Sequence, residues 1–122
     1  MAGGVAAENR YPWDSPQGPA TQDEATILTR ANTRESGIRS TSPVAMYPLG
    51  ISQPFGLMDL AGNVWEWTNS WYDERERGRV LRGGSWGLDQ DLACCGIRLR
   101  DHPLNSNRNV GFRLVSPVGS GF

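Results

Sequence analysis

Alternation of apolar and polar positions is clearest in the middle of the chain. From Val64 to Tyr72, Trp65, Trp67, Asn69 and Trp71 recur at spacing two and share one face of a strand. Val64, Glu66, Thr68 and Ser70 then fall on the opposite face. Two further apolar-rich runs, Val80–Trp86 and Val110–Val115, predict core strands of the same small sheet. Asp59, Gly62 and Asn63 precede the first strand, where they turn the backbone and offer oxygen atoms. Phe55 to Leu60 (FGLMDL) predicts one turn of helix ended by Gly62. Farther upstream, Ala25, Ile27, Leu28 and Ala31 predict one or two helical turns within Asp23–Asn32, or an ordered loop. Pro12 pushes Tyr11 toward extended geometry, and Trp13 is expected in the core. Ser40 to Pro43 breaks any regular element. Residues 1–9 read as a frayed terminus or a helix end, and 116–122 as a loose tail. Tyr72 to Arg79 alternates charges and reads as a solvated connector, while Gly87–Asn109 is the least regular stretch.

A length of 122 residues bounds the chain to one domain, 1–122. The formal net charge of −1 supplies no field that would recruit nucleic acid or an anionic membrane. No apolar run approaches the roughly 20 residues of a spanning helix, so membrane insertion is not expected. The 15 Gly and 8 Pro favour a loop-rich fold. The two Cys are adjacent, Cys94 and Cys95; a bridge between them would close a strained ring, so no structural disulfide is expected and the compartment stays open.

The runs RYPWD (Arg10 to Asp14), GLMDLAGN, AGNVWEWT, RGGSW and GFRLV stand in the order of the sulfatase-modifying-factor family, which this chain resembles from Arg10 to Pro117. That family contains formylglycine-generating enzymes and the variable proteins of diversity-generating retroelements. The resemblance implies an irregular α+β, C-type lectin-like fold, loop-rich, with a small antiparallel sheet. Family members usually begin with a helical half well before RYPW, whereas nine residues precede Arg10 here. The chain is therefore expected to be the C-terminal part of such a domain.

Three candidate sites follow. A hard cation such as calcium takes several oxygens, mixing carboxylates and carbonyls. Asp59, the carbonyls of Gly62 and Val64, and Glu66 offer four within one short stretch. The resemblance points the same way, because residues at these positions bind calcium in formylglycine-generating enzymes. The alternative is that Glu66 accepts loop hydrogen bonds or pairs with an arginine. Calcium is thus the one candidate cofactor, and none is required for binding.

The second site is the Cys pair. The oxidase members carry two Cys spaced C-x4-C after the GGS-aromatic motif; these bind copper and attack a substrate Cys. Counted from Trp86, those positions hold Leu88 and Ala93. A one-residue insertion brings Cys94 to the second, but the first has no thiol, and copper(I) wants soft thiolates. Cys94 and Cys95 then read as small side chains in a loop or against the core, and no catalytic residue is assigned.

The third is the stretch 87–109 as a displayed surface. Retroelement variable proteins resemble it: GGSW, a diversified run, Arg, a second run, Pro, a third run, then GFR. Trp86, Arg98, Pro103 and Gly111 match the fixed positions. Between them stand Gly87, Leu88, Asp89, Asp91, Leu92, Ile97, Leu99, Arg100, Asp101, His102, Asn105, Asn107, Arg108 and Asn109, all within reach of adenine-directed diversification. An ordinary undiversified loop is the alternative. The expected ligand site comprises Trp86 and the variable positions from Gly87 through Asn107, with Leu88, Leu92 and Leu99 as apolar anchors. The expected partner is a protein or cell-surface ligand. The competing function is oxidation of a peptidyl Cys to formylglycine, as in sulfatase maturation, with copper. The single His, His102, leaves no Ser/His/Asp set, and neither Gly3-Gly4 nor Gly83-Gly84 has phosphate-loop spacing.

Overall fold

The structure, a computed structural model, describes residues 10–14, 23–52 and 55–117. The expectations for the first nine residues, and for the tail beyond Pro117, lie outside these residues. Among the described residues one short α-helix, α1 (Glu24–Leu28), forms within the brief helical pattern of Asp23–Asn32. The Asp23 carboxylate caps it, accepting from the Thr26 N–H at 2.7 Å. Its buried face is Ile27.

The core that α1 joins lies beside the sheet. Tyr11 and Trp13 stack with ring centroids 4.9 Å apart and planes 3° off parallel. Ile27, Ala31, Ala61 and Ala93 complete the cluster, with Cys94 packed at its margin. The four smaller partners let the two large rings fill the space between loops. Asp14 shapes the RYPWD turn: its Oδ2 accepts the N–H groups of Arg10 and Tyr11 at 2.9 and 3.0 Å. That turn is clamped to the later chain, because the Tyr11 hydroxyl donates to the Gln90 carbonyl and the Cys95 N–H to the Arg10 carbonyl. Burial pushes the Tyr11 hydroxyl up to about 12, against a smaller opposing pull from Arg10.

Among the described residues the sheet has four strands: β1 (Trp65–Trp71), β2 (Arg79–Arg82), β3 (Arg98–Asp101) and β4 (Val110–Gly111). Their spatial order is β3-β2-β1-β4. β1 and β2 pair antiparallel with Trp67 opposite Leu81, and a bulge interrupts the register before Trp71. β2 and β3 also run antiparallel, from Arg79 opposite Asp101 to Arg82 opposite Arg98. β4 lies parallel to β1, Trp65 opposite Val110. A parallel neighbour requires a long crossover, and here residues 72–109, carrying β2 and β3, are that crossover.

The parallel pair makes the sheet mixed rather than wholly antiparallel, and four further details differ from the sequence reading. β2 stops at Arg82 rather than Trp86, because Gly83 and Gly84 adopt φ of 99° and 72°. β4 ends at Gly111 rather than Val115, leaving Phe112, Leu114 and Val115 exposed. Residues 55–60 form no helical turn, since Gly56 and Asp59 both have left-handed φ. β3 emerges inside the stretch read as irregular.

The AGN turn entering β1 is a junction. Gly62 has a φ of 75°, and a Cβ there would lie 2.5 Å from the Asn32 carbonyl oxygen. Asn63, also left-handed at 66°, binds three separate segments through backbone and side chain. Its N–H donates to the Asn32 carbonyl and its own carbonyl accepts from the Trp86 N–H. Its side-chain Oδ1 accepts from the Ser42 N–H at 2.9 Å, and its Nδ2 donates to the Ser42 carbonyl.

Candidate functional site

Glu66 projects from β1 toward the chain beyond β4. Both of its oxygens hold the Arg113 guanidinium: Nη2 to Oε1 at 2.6 Å and Nε to Oε2 at 2.8 Å. The same Nη2 donates to the carbonyls of Met58 and Asp59 at 3.1 and 3.2 Å. The Asp59 carboxylate is turned elsewhere, accepting from the Ala45 N–H at 2.7 Å. The sequence-predicted oxygens of Glu66 and Asp59 therefore face a resident guanidinium and a loop amide. Among the described residues, no three or more His, Cys, Asp or Glu gather as a metal-binding group. Calcium bound through Glu66 would have to displace Arg113, so the two side-chain donors as arranged do not fit it. The geometry carries the reading of Glu66 paired with an arginine. The expected result is a melting curve unchanged by added calcium or by chelator, with Glu66→Gln lowering stability by about 1–2 kcal/mol through a weakened charged hydrogen-bond set. Calcium raising the wild-type melting temperature, with Glu66→Gln abolishing that response, would reverse this reading.

Both Cys are free thiols. Cys94 donates to the Asp91 carbonyl at 2.7 Å and packs against the Tyr11–Trp13 cluster. Desolvation pushes the Cys95 thiol up, with the Asp14 and Cys94 charges acting the same way. A raised thiol holds less thiolate, the form that binds metal and attacks. Ala93, at one of the positions aligned with the oxidase pair, is buried against Gly84.

The stretch 87–109 divides in two. Its first half is tied to the frame. Trp86 is half-buried, with the Arg108 guanidinium 5.4 Å from its ring centroid. The Gly87 carbonyl accepts from the Arg34 side chain, and the Leu88 carbonyl from the Arg34 N–H. Asp89 faces Arg34 at 3.9 Å, and Asp91 pairs with Arg10 at 2.7 Å. The Gln90 N–H donates to Glu35, and the Ile97 carbonyl accepts from Arg82. Of the three expected anchors, Leu88 is half-buried and only Leu92 and Leu99 are exposed.

The second half is the exposed one. From Arg98 to Arg108 every residue except the half-buried Asp101 is exposed. The backbone beneath is nevertheless held. β3 pairs along β2, and Arg98 lies over the Tyr72 ring at 4.2 Å while donating to the Tyr72 carbonyl. Asp101 Oδ1 accepts from the His102 N–H at 2.7 Å and from Asn105 Nδ2 at 2.6 Å. The Asn105 N–H closes the turn onto the His102 carbonyl, and Asn107 Oδ1 accepts from the Arg108 N–H. Gly111 seats the end of the loop against the Val64 side chain.

Sequence reasoning missed Leu104, which is 87% exposed and is the most prominent apolar side chain of this surface. It also missed the connector before β2. Arg75, Arg77 and Gly78 join Arg100, Asp101 and His102 around an open pocket of about 410 Å³. The alternation of charges in the connector signalled exposure but not this convergence.

A small curled mixed sheet framed by irregular loops is the architecture of C-type lectin-like domains of the formylglycine-generating type. The sulfatase-modifying factor enzyme 1-like domain model matches residues 1–118, and the chain belongs to that family. It is 36% identical over 120 residues to the inactive C-alpha-formylglycine-generating enzyme 2 of Bos taurus, covering 89% of this chain and 38% of that protein. It is 35% identical over 139 residues to the formylglycine-generating enzyme of Streptomyces coelicolor, covering 94% and 43%. Among solved structures it resembles Treponema denticola variable protein 1, with a TM-score of 0.64 and 28% identity over 80% of this chain and 40% of that one. The chain thus spans about two fifths of the length of these relatives.

Proposed function

We propose that the chain is a binding module that presents β3 and the 102–109 loop to a protein or cell-surface ligand. The observation that carries this reading is the run from Arg98 to Arg108, exposed along nearly its whole length over a hydrogen-bonded backbone. Side chains that leave the frame intact when changed suit a surface whose task is recognition. The apolar contacts come from Leu99 and Leu104, with Asn107 and its neighbours supplying polar specificity. The likeness to a protein described as variable supports the same reading.

The competing reading, oxidation of a peptidyl Cys, is favoured by the identity to formylglycine-generating enzymes. Its chemistry needs two converging thiolates, whereas Cys94 is committed to the Asp91 carbonyl and Cys95 is its immediate neighbour in sequence.

The test combines arrays of purified surface proteins and glycans with a melt. Leu99→Ala, Leu104→Ala and Asn107→Ala together should cut binding at least about tenfold, since one lost anchor is worth 1–2 kcal/mol. Folding stability should change by no more than about 1 kcal/mol, as expected of surface substitutions. Cys94→Ser and Cys95→Ser should leave binding unchanged. Unfolding of the triple variant would make this stretch core. Uptake of copper(I) with turnover of a Cys-containing peptide, both lost in Cys94→Ser, would establish the oxidase instead.

A further inference from the structure

The pocket beside β3 is lined by more cations than anions. Arg75, Arg77 and Arg100 line it against a single carboxylate, Asp101, so three positive charges less one negative leave a surplus of two. The Asp101 Oδ1 is already engaged by the His102 N–H and by Asn105. Asp73 approaches Arg100 at 3.9 Å from outside the lining residues. Among the described residues, neither Arg75 nor Arg77 has a carboxylate partner within ion-pair distance.

The arrangement follows from the fold. The register of β2 on β3 sets Arg79 opposite Asp101, which brings the connector alongside Arg100. Gly78 is buried, and a Cβ there would lie 2.4 Å from the Arg100 Cγ. The Arg100 stem therefore lies across Gly78, while its guanidinium stands 5.7 Å from the centroid of the Tyr72 ring. The Tyr72 N–H closes the connector onto the Gly78 carbonyl at 2.8 Å, and Asp73 Oδ1 accepts from the Arg75 N–H. Arg75 and Arg77 thus project from a closed turn rather than from a loose loop.

We infer that this pocket receives a tetrahedral oxyanion, sulfate or phosphate, carried by the ligand of the displayed surface; the inference rests on the binding reading above. Guanidinium groups present planar forks that match such oxygens in pairs. A tetrahedral oxyanion offers oxygens to all three guanidinium groups at once, which a single carboxylate with two oxygens does not. The pocket is bounded by Asp101 and His102, where β3 passes into the 102–109 loop, so a ligand held on that loop brings an anionic substituent beside it.

The experiment is an NMR titration of the arginine side-chain N–H signals in the full chain. Sodium sulfate, sodium phosphate and sodium acetate are used in separate arms, with ionic strength held constant by sodium chloride. The expected result is a saturating shift at Arg75, Arg77 and Arg100 with sulfate or phosphate, and none at Arg39 or Arg108. Whichever of the two saturates identifies the oxyanion. Arg75→Gln with Arg77→Gln should weaken that binding by about tenfold or more with an unchanged melt. Linear drift at all exposed arginines alike, saturation by acetate alone, or undiminished saturation in the double variant would overturn the inference. Inorganic probes make this independent of the larger ligand: a failed titration leaves the display reading standing. A failed array experiment does not alter the titration.

Discussion

Trp65→Ala should lower stability by about 3–5 kcal/mol, the cost of truncating a buried Trp. Trp65 is 4% exposed at the start of β1, and its N–H donates to the Asn109 carbonyl at 2.8 Å. It sits where β1 meets its parallel neighbour, opposite Val110. Its removal therefore opens the sheet where the 102–109 loop returns. A loss of that size is comparable to the whole stability of many small domains. Trp71, six residues along the same strand, is the internal control: it is 37% exposed and stacks under the Arg79 guanidinium at 3.5 Å. Trp71→Ala should cost only about 0.5–1 kcal/mol, the worth of an exposed cation–π contact. Thermal or denaturant melts of the two variants compare them directly. Equal shifts would mean that β1 is buried uniformly and that the burial gradient along it is wrong.

That gradient marks the boundary of what the sequence shows. The spacing of Trp65 and Trp67 exposes β1 to a reader of the chain, because apolar residues recur at period two, although burial falls along the strand from Trp65 rather than marking one face. The bulge before Trp71 has no such signature: β1 advances four residues from Trp67 to Trp71 while β2 advances two from Leu81 to Arg79, and two extra residues leave the alternation in phase. β3 is illegible for the opposite reason. Its residues Arg98 to Arg100 are exposed on both faces, so burial writes no pattern into them, and pairing to β2 alone makes them a strand. β4 is two residues long, and its parallel pairing depends on where a crossover of 38 residues, 72–109, returns the chain.

The sites divide the same way. Glu66 and Asp59 are visible as oxygen donors close in sequence. Their partners, Arg113 and the Ala45 N–H, lie 47 and 14 residues away, and only the fold brings them in. The bounds of the 87–109 stretch were marked by resemblance. Which half of it faces outward was not, because that depends on Arg10 and Arg34 taking Asp91 and Asp89. The arginines of the connector read as solvated, which is true of each singly; their convergence with Arg100 is a property of strand register.

Asn63→Ala is expected to approach the Trp65 variant in cost, at about 2–4 kcal/mol, for a different reason. Two penalties add. A left-handed φ of 66° is tolerated by Asn and disfavoured for Ala by about 1 kcal/mol. The Ser42 N–H and carbonyl, on a residue 8% exposed, also lose their side-chain partners, and orphaned buried groups cost about 1–3 kcal/mol. Asn63→Gly separates the two, because glycine adopts the same φ without strain yet supplies no amide. It should be more stable than Asn63→Ala by about 1 kcal/mol and still clearly weaker than wild type. Asn63→Asp keeps the Oδ1 acceptor but sets a second oxygen against the Ser42 carbonyl, so it should not restore wild-type stability. If Asn63→Gly melted like the wild type, the junction would be a matter of backbone conformation alone. If Asn63→Ala did so, the Asn63 side chain would not be what holds the Ser42 loop in place.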